Sequence, residues 1–188
     1  MSNIRYILFT GHMIDKSDRK HPRFPAAKES AAKEHIRKAV LQIKDKSSGP
    51  LLGIAGGACG GDILFHEVCD ELGIETEFLL ALPPEEFINH SVSFAGHKWV
   101  DRFWNIYNRE KHLLLPHGKE LLEKKDGSLW QENNHWILDS ALKNGGENMT
   151  LIALWDGKGG DGTGGTDHMV NTAKDKGAAI VIISVHDL

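Results

Sequence analysis

Leu51-Leu52-Gly53-Ile54-Ala55-Gly56-Gly57-Ala58-Cys59-Gly60-Gly61-Asp62-Ile63-Leu64-Phe65-His66-Glu67 is the stretch on which the fold turns. A short apolar run, Leu51 to Ala55, stops at two glycine pairs and resumes as Ile63, Leu64, Val68 and Leu72, which is helical spacing. The pattern predicts a strand, a tight turn and a helix. A side chain at Gly56, Gly57, Gly60 or Gly61 would keep a ligand away from the backbone and forbid positive φ. Peptide N–H groups in the first helical turn would then face an anion, phosphate above all, because orphan donors and the helix dipole act together there. The alternative is that the glycines only make a tight strand–helix connection. Asp62 competes for the same positive end and suits a ribose hydroxyl better than a phosphate.

Upstream, Ile4 to Phe9 is almost unbroken apolar sequence, as expected of a strand covered on both faces of a parallel sheet. It ends at Thr10-Gly11-His12. The polar segment that follows, Met13 to Pro25, is too long for a mere connection, and loops of this length are usually binding loops or disordered. Arg19 and Arg23 are placed to close over a phosphate, or simply to solvate the loop. Ala32, Ile36, Ala39, Val40 and Ile43 mark an amphipathic helix that stops at Ser47-Ser48-Gly49-Pro50.

Downstream, Glu75 to Leu82 predicts a third strand ended by Pro83-Pro84, with Glu85, Glu86 and Phe87 opening a short helix. From about 90 to 145 the pattern is helical and aromatic, with Trp99, Phe103, Ile106 and Tyr107 on one stripe and Leu138, Ala141 and Leu142 on another. Met149 to Trp155 and Ala178 to Ser184 predict a fourth and a fifth strand. Strands alternating with helices give an α/β fold. The expectation is one Rossmann-like domain over residues 1–188: a doubly wound, mostly parallel five-stranded sheet with helices on both faces and a helical insertion at about 85–145.

A second glycine-rich segment follows the fourth strand, from Asp156 through Gly162-Thr163-Gly164-Gly165-Thr166 to Asp167 and His168. Gly157 to Gly162 matches G-x-G-x-x-G, but so glycine-rich a run matches almost inevitably, and the fingerprint belongs after the first strand. No G-x-x-x-x-G-K-[ST] occurs, which argues against P-loop phosphoryl transfer. Both glycine segments leave the carboxyl ends of strands, where open α/β sheets bind ligands at the switch point of strand order. An order of 3-2-1-4-5 brings both of them and Thr10-Gly11-His12 to one crevice; the flavodoxin-like order 2-1-3-4-5 is the alternative.

The three stretches Phe9 to Asp15, Gly56 to Asp62 and Gly162 to Thr166 together resemble the SLOG superfamily, which takes in the Lonely Guy phosphoribohydrolases, the DNA-processing protein A fold, molybdenum-cofactor carrier-like proteins and nucleotide-sensing domains. The matching stretches cover about a third of the chain. The resemblance implies a Rossmann-like sheet and a nucleotide-type ligand held by the two glycine loops. The chain departs from Lonely Guy enzymes where P-G-G-x-G-T is followed shortly by glutamates. Here Asp167, His168 and Met169 follow Thr166, so the family's catalytic glutamate is missing unless Asp167 replaces it.

The 188 residues suffice to bury a core without staples, and 40% hydrophobic with 26% charged residues is an ordinary globular composition. A net charge of −4 leaves no overall footprint for duplex nucleic acid or an anionic membrane, so neither is expected as a partner. Cys59 and Cys69, roughly 15 Å apart on one helix, would be too distant for a disulfide, which suits a cytoplasmic setting. The N-terminus lacks a signal-peptide pattern, and no 18-residue apolar run occurs. The 11 histidines are scattered without zinc-ligand spacing, so no protein-bound metal or required cofactor is expected; Mg²⁺ carried by a phosphate ligand is compatible. Self-association is compatible with this pattern.

The leading functional expectation is a module that binds or senses a nucleotide or nucleotide-derived ligand through Thr10, Gly11, His12, Arg23, Gly56, Gly57, Ala58, Gly60, Gly61, Asp62, Asp156, Gly162, Thr163, Gly164, Gly165 and Thr166. The alternative is an enzyme cleaving or transferring an N-glycosidic bond, which needs a carboxylate near the anomeric carbon. Asp15, Asp62, Glu85 and Asp167 are its candidates, with His12 as acid or base and Arg23 or Arg102 as phosphate clamp. Trp155 is either a stacking platform for a base or a core residue.

Overall fold

The computed structural model describes residues 4–158 and 165–188. Its centre is one six-stranded sheet, β1 (Arg5–Gly11), β2 (Leu51–Ala55), β3 (Thr76–Leu80), β4 (Lys111–Leu114), β5 (Met149–Trp155) and β6 (Ala179–Ser184), in the order β4-β3-β2-β1-β5-β6 with every pair parallel. The five expected strands stand in the expected order, 3-2-1-4-5. The count is corrected to six by β4, which falls inside the stretch expected to be helical. It is a four-residue edge strand with only Leu113 partly buried, so it shows neither the apolar run nor the alternation by which a strand is legible. The third strand also stops at Leu80, short of Leu82.

Seven α-helices are described: α1 (Glu29–Lys46), α2 (Gly61–Glu71), α3 (Pro84–Ser91), α4 (His97–Tyr107), α5 (Gly118–Glu123), α6 (Ser128–Ala141) and α7 (Thr166–Asp175). The inner strands feed both faces by alternation. Ile7, Phe9, Phe78, Leu80, Ile152 and Leu154 join the core beneath α1, α2 and α4, while Leu8, Ile54, Leu79, Leu151 and Ala153 join a second core beneath α6 and α7. The expected aromatic stripe Trp99, Phe103 and Ile106 is buried on the first face, and Leu138 and Ala141 on the second.

Arg102 belongs to this packing. It donates to Glu67 from Nε and Nη2 at 2.6 and 2.9 Å and to Glu29 at 2.7 Å, and its guanidinium lies 4.0 Å from the centre of the Trp99 ring. Burial alone would raise the Glu67 carboxyl, but hydrogen bonds from Arg102 and Lys33 hold it below the usual range. Arg102 therefore ties α1, α2 and α4 together and is not a phosphate clamp.

Candidate functional site

Chain order reverses between β1 and β5. The crevice beyond their carboxyl ends is where an open parallel sheet holds its ligand, because the two flanking loops diverge there. Thr10 and Gly11 pair with Ala153 and Leu154, so the β1 loop opens directly beside the β5 loop. The hydroxyls of Thr10 and Thr166 lie 3.5 Å apart across the gap.

The glycine turn after β2 is locked to the β1 loop through backbone. Gly61 N–H donates to His12 O at 3.2 Å and Ile14 N–H to Cys59 O at 3.0 Å, with an antiparallel bridge between Met13 and Gly60. Gly60 has φ +117°, and a Cβ there would sit 2.7 Å from Ile14 N. Cys59 N–H donates to Ser91 O at 2.9 Å and Ala58 N–H to Asp62 Oδ2 at 3.2 Å. Three N–H groups of this turn, those of Ala58, Cys59 and Gly61, are thus bonded inside the fold.

The glycines divide accordingly. A Cβ at Gly57 would meet the Phe78 ring at 2.5 Å and one at Gly61 the Phe9 ring at 2.7 Å, so these two make room for core aromatics. Gly56 faces the crevice, where its Cβ would lie 2.8 Å from Asp62 Oδ2.

Two adjoining cavities share Gly11, Met13, Gly165 and Thr166. The first, about 390 Å³, is walled by Phe87, Trp130, Ile137 and Met169, with Asp62, Ser91, Asn133 and Asn134 as polar groups. Among the described residues Asp62 is its single carboxylate. Desolvation pushes that carboxyl up to about 7, against the opposing hydrogen bond from Ala58. The second cavity, about 380 Å³, carries Lys16, Arg19 and Arg23 against Asp15 and Asp18, with Phe94 and Trp155 beside them.

Asp15 is built into the second cavity's wall. Its Oδ2 accepts from Arg23 N–H at 2.8 Å and Phe24 N–H at 2.7 Å, its Oδ1 lies 3.4 Å from Arg19 Nε, and fully buried Phe24 pins the loop behind it. His12 Nε2 lies 3.2 Å from Asp156 N and 3.3 Å from Asp156 Oδ1. Burial, aided by the Arg23 charge and opposed by Asp156, holds His12 below the usual imidazole range. Burial works to raise Asp156, and Lys158 N–H and His12 outweigh it. Trp155 donates from Nε1 to Lys158 O at 2.7 Å, so the edge of its indole braces the start of the β5 loop.

Of the expected residues, Thr10, Gly11, His12, Arg23, Gly56, Ala58, Asp62, Gly165 and Thr166 line one or both cavities, as does Asp15. Glu85 is exposed on α3 and lines neither. Asp167 also lines neither: it accepts from Asn171 at 3.1 Å, because the first turn of α7 points it along the helix surface. Gly162, Thr163 and Gly164 lie outside the described residues. Sequence reasoning missed Trp130, Asn133, Asn134 and Ile137, one stripe of α6 at i, i+3, i+4 and i+7. Two amides in the middle of an otherwise apolar stripe were the available signal. Among the described residues no three His, Cys, Asp or Glu side chains converge as metal ligands, and no helix is long and apolar enough to cross a membrane.

No family model matches the chain, and neither does any curated protein. Among solved structures, the fold is similar to the X-ray structure of DNA processing protein A from Streptococcus pneumoniae, with 14% sequence identity and a TM-score of 0.45 over 98% of this chain. This chain spans 60% of the length of that one. The likeness concerns the path of the chain. The expectation that duplex nucleic acid is no partner is corrected here. A net charge summed over the whole surface does not decide what one crevice accepts.

Proposed function

We propose that the crevice binds a nucleotide or nucleotide-derived ligand, as the SLOG resemblance implies, with its phosphate in the cavity of Lys16, Arg19 and Arg23 and its nucleoside in the aromatic cavity floored by Asp62. The observation that carries this reading is the meeting of two unlike cavities at the switch point. One offers cations for an anion, and the other offers an indole and uncharged polar groups for a sugar and a flat ring. Asp62 is an acceptor suited to ribose hydroxyls. Any Mg²⁺ would arrive with a polyphosphate ligand rather than occupy a protein cage.

The test is a thermal-shift panel of mononucleotides, cyclic nucleotides, NAD, ADP-ribose, a short single-stranded oligonucleotide and inorganic phosphate. A ligand at 100 times its dissociation constant adds about 2.7 kcal/mol, or roughly 5–10 °C for a chain of this size. One nucleotide class should give such a shift. Gly56→Ala, which displaces the Asp62 carboxylate, should lose it, and Lys16→Ala with Arg23→Ala should lose the phosphate-dependent part. A panel without any shift sinks the reading.

A second reading rests on Asp62 alone. A carboxyl with its pKa pushed up to about 7 is matched to proton transfer near neutral pH, as an enzyme acting on an N-glycosidic bond requires. Free base released from a bound nucleotide, and not released by Asp62→Asn, selects this reading over simple binding.

A further inference from the structure

Two histidines from different helices meet outside the crevice. His135 stands on α6 and His168 on α7, 33 positions later, and their Nε2 atoms lie 2.9 Å apart with ring centres at 4.9 Å. Both rings reach solvent, neither lines either cavity, and neither Nδ1 has a hydrogen-bond partner among the described residues. An imidazole that keeps its proton on Nδ1 presents a bare lone pair at Nε2, and two such lone pairs face to face repel until a cation stands between them. A shared proton engages one ring as donor and the other as acceptor; a metal ion takes both lone pairs. Two nitrogens bound at about 2.0–2.1 Å to one tetrahedral ion lie ~3.3 Å apart, so a small turn of either exposed ring opens the pair to that span. Glu132 and Asp139, both exposed, stand one turn before and one turn after His135 on α6 and add negative charge to that side of the helix.

We propose that His135 and His168 form an open two-ligand site for a divalent transition ion of the zinc class, which ties α6 to α7. Imidazole suits Zn²⁺, Ni²⁺ and Cu²⁺, whereas Mg²⁺ and Ca²⁺ prefer oxygen. Water fills the remaining coordination positions, in keeping with the lack of a third ligand among the described residues. The effect reaches the crevice through the helices. Trp130 and Ile137 of α6 and Thr166 and Met169 of α7 wall the first cavity, so the ion holds two of its walls at a fixed spacing. The site does not depend on the proposed nucleotide reading.

The experiment titrates the untagged chain with ZnCl₂ alone and follows the thermal midpoint and the NMR signals of the histidine rings. One equivalent should raise the midpoint and move the signals of His135 and His168 together, and Mg²⁺ should do neither. His135→Gln and His168→Gln should each melt near wild type without metal, which shows that they fold. Each should bind Zn²⁺ about a hundredfold more weakly, because one ring alone forfeits the gain of two ligands held together. His97→Gln, which removes the exposed histidine beside Asp101 on α4, should bind like wild type. Unchanged affinity in both pair variants, movement of other histidine signals instead, or no binding of Zn²⁺ overturns the site and leaves the nucleotide reading untouched. An equal response to Mg²⁺ overturns imidazole coordination.

Discussion

Asp62 is held where its charge is least welcome, buried but for the face toward the crevice, with the Ala58 N–H as its donor among the described residues. A carboxyl whose folded pKa is about 7 and whose ordinary value is 3.8 binds a proton on folding between those values. Stability from this group is present below the ordinary value and lost as pH rises through about 7. Asp62→Asn, which keeps an acceptor for Ala58 N–H, should therefore be more stable than wild type at pH 8 and close to it at pH 4. The gap should be on the order of 2 kcal/mol, about half the full linkage value because one face of the carboxyl reaches the cavity. Urea unfolding at the two pH values measures it, and parallel profiles would show that the carboxyl is well solvated. A residue that costs stability while facing an open cavity fits selection for function. Only its place in the first turn of a helix was legible in the sequence; its desolvation is a matter of tertiary burial.

At the scale of elements, the β1 loop is tied down by hydrogen bonds although it has little regular structure. Met13 bridges Gly60, Asp15 N–H donates to Phe24 O at 2.9 Å, and the Asp15 carboxylate takes the N–H groups of Arg23 and Phe24. Asp15→Ala leaves those donors without that acceptor and should destabilise the loop by about 1–3 kcal/mol. Amide hydrogen exchange at Arg23 and Phe24 should accelerate by at least tenfold, and phosphate binding should weaken with it. Unchanged exchange would show that Phe24 alone pins the loop. The sequence marked this segment as a binding loop by its length and charge. It could not show that Asp15, offered as a catalytic carboxylate, holds backbone instead, because that role depends on a turn returning eight and nine residues later. The short strand β4 escaped for a related reason: its order comes from pairing with β3 and not from its own pattern.

The whole molecule is a sheet with a polar seam through its first core. His66, 1% exposed, donates from Nε2 to Gly56 O at 3.0 Å and accepts at Nδ1 from the Thr76 hydroxyl at 2.8 Å, linking α2 to the ends of β2 and β3. Burial lowers its pKa from 6.5 to about 4. A histidine kept neutral by folding contributes stability that is present above 6.5 and lost as pH falls toward 4. Asp62 runs the other way across that range, so the wild-type profile should be nearly level between pH 4 and 6.5. In Asp62→Asn the histidine limb stands alone, and the denaturation midpoint should fall steadily with acid. A level acid limb in that variant would mean that His66 is protonated without disrupting the seam.

The sequence by itself determined the α/β class, the presence of five strands and the end of the sheet that carries the crevice; the choice of 3-2-1-4-5 over 2-1-3-4-5 came from the tertiary structure. Apolar runs, helical periodicity and glycine breaks are local properties, and strand ends follow from them. It marked Thr10 to His12, Gly56 to Asp62 and the residues near Thr166 for the same reason. What only the tertiary structure decided is which side chains look into the crevice. Gly57 and Gly61 yield to the rings of Phe78 and Phe9, Arg102 closes on Glu67 and Glu29, and Glu85 and Asp167 turn away. Trp130 and Asn133 enter because α6 packs over β1 and β2. Those outcomes depend on contacts between residues far apart in the chain, and no local pattern encodes the direction of a side chain relative to an element that arrives seventy residues later.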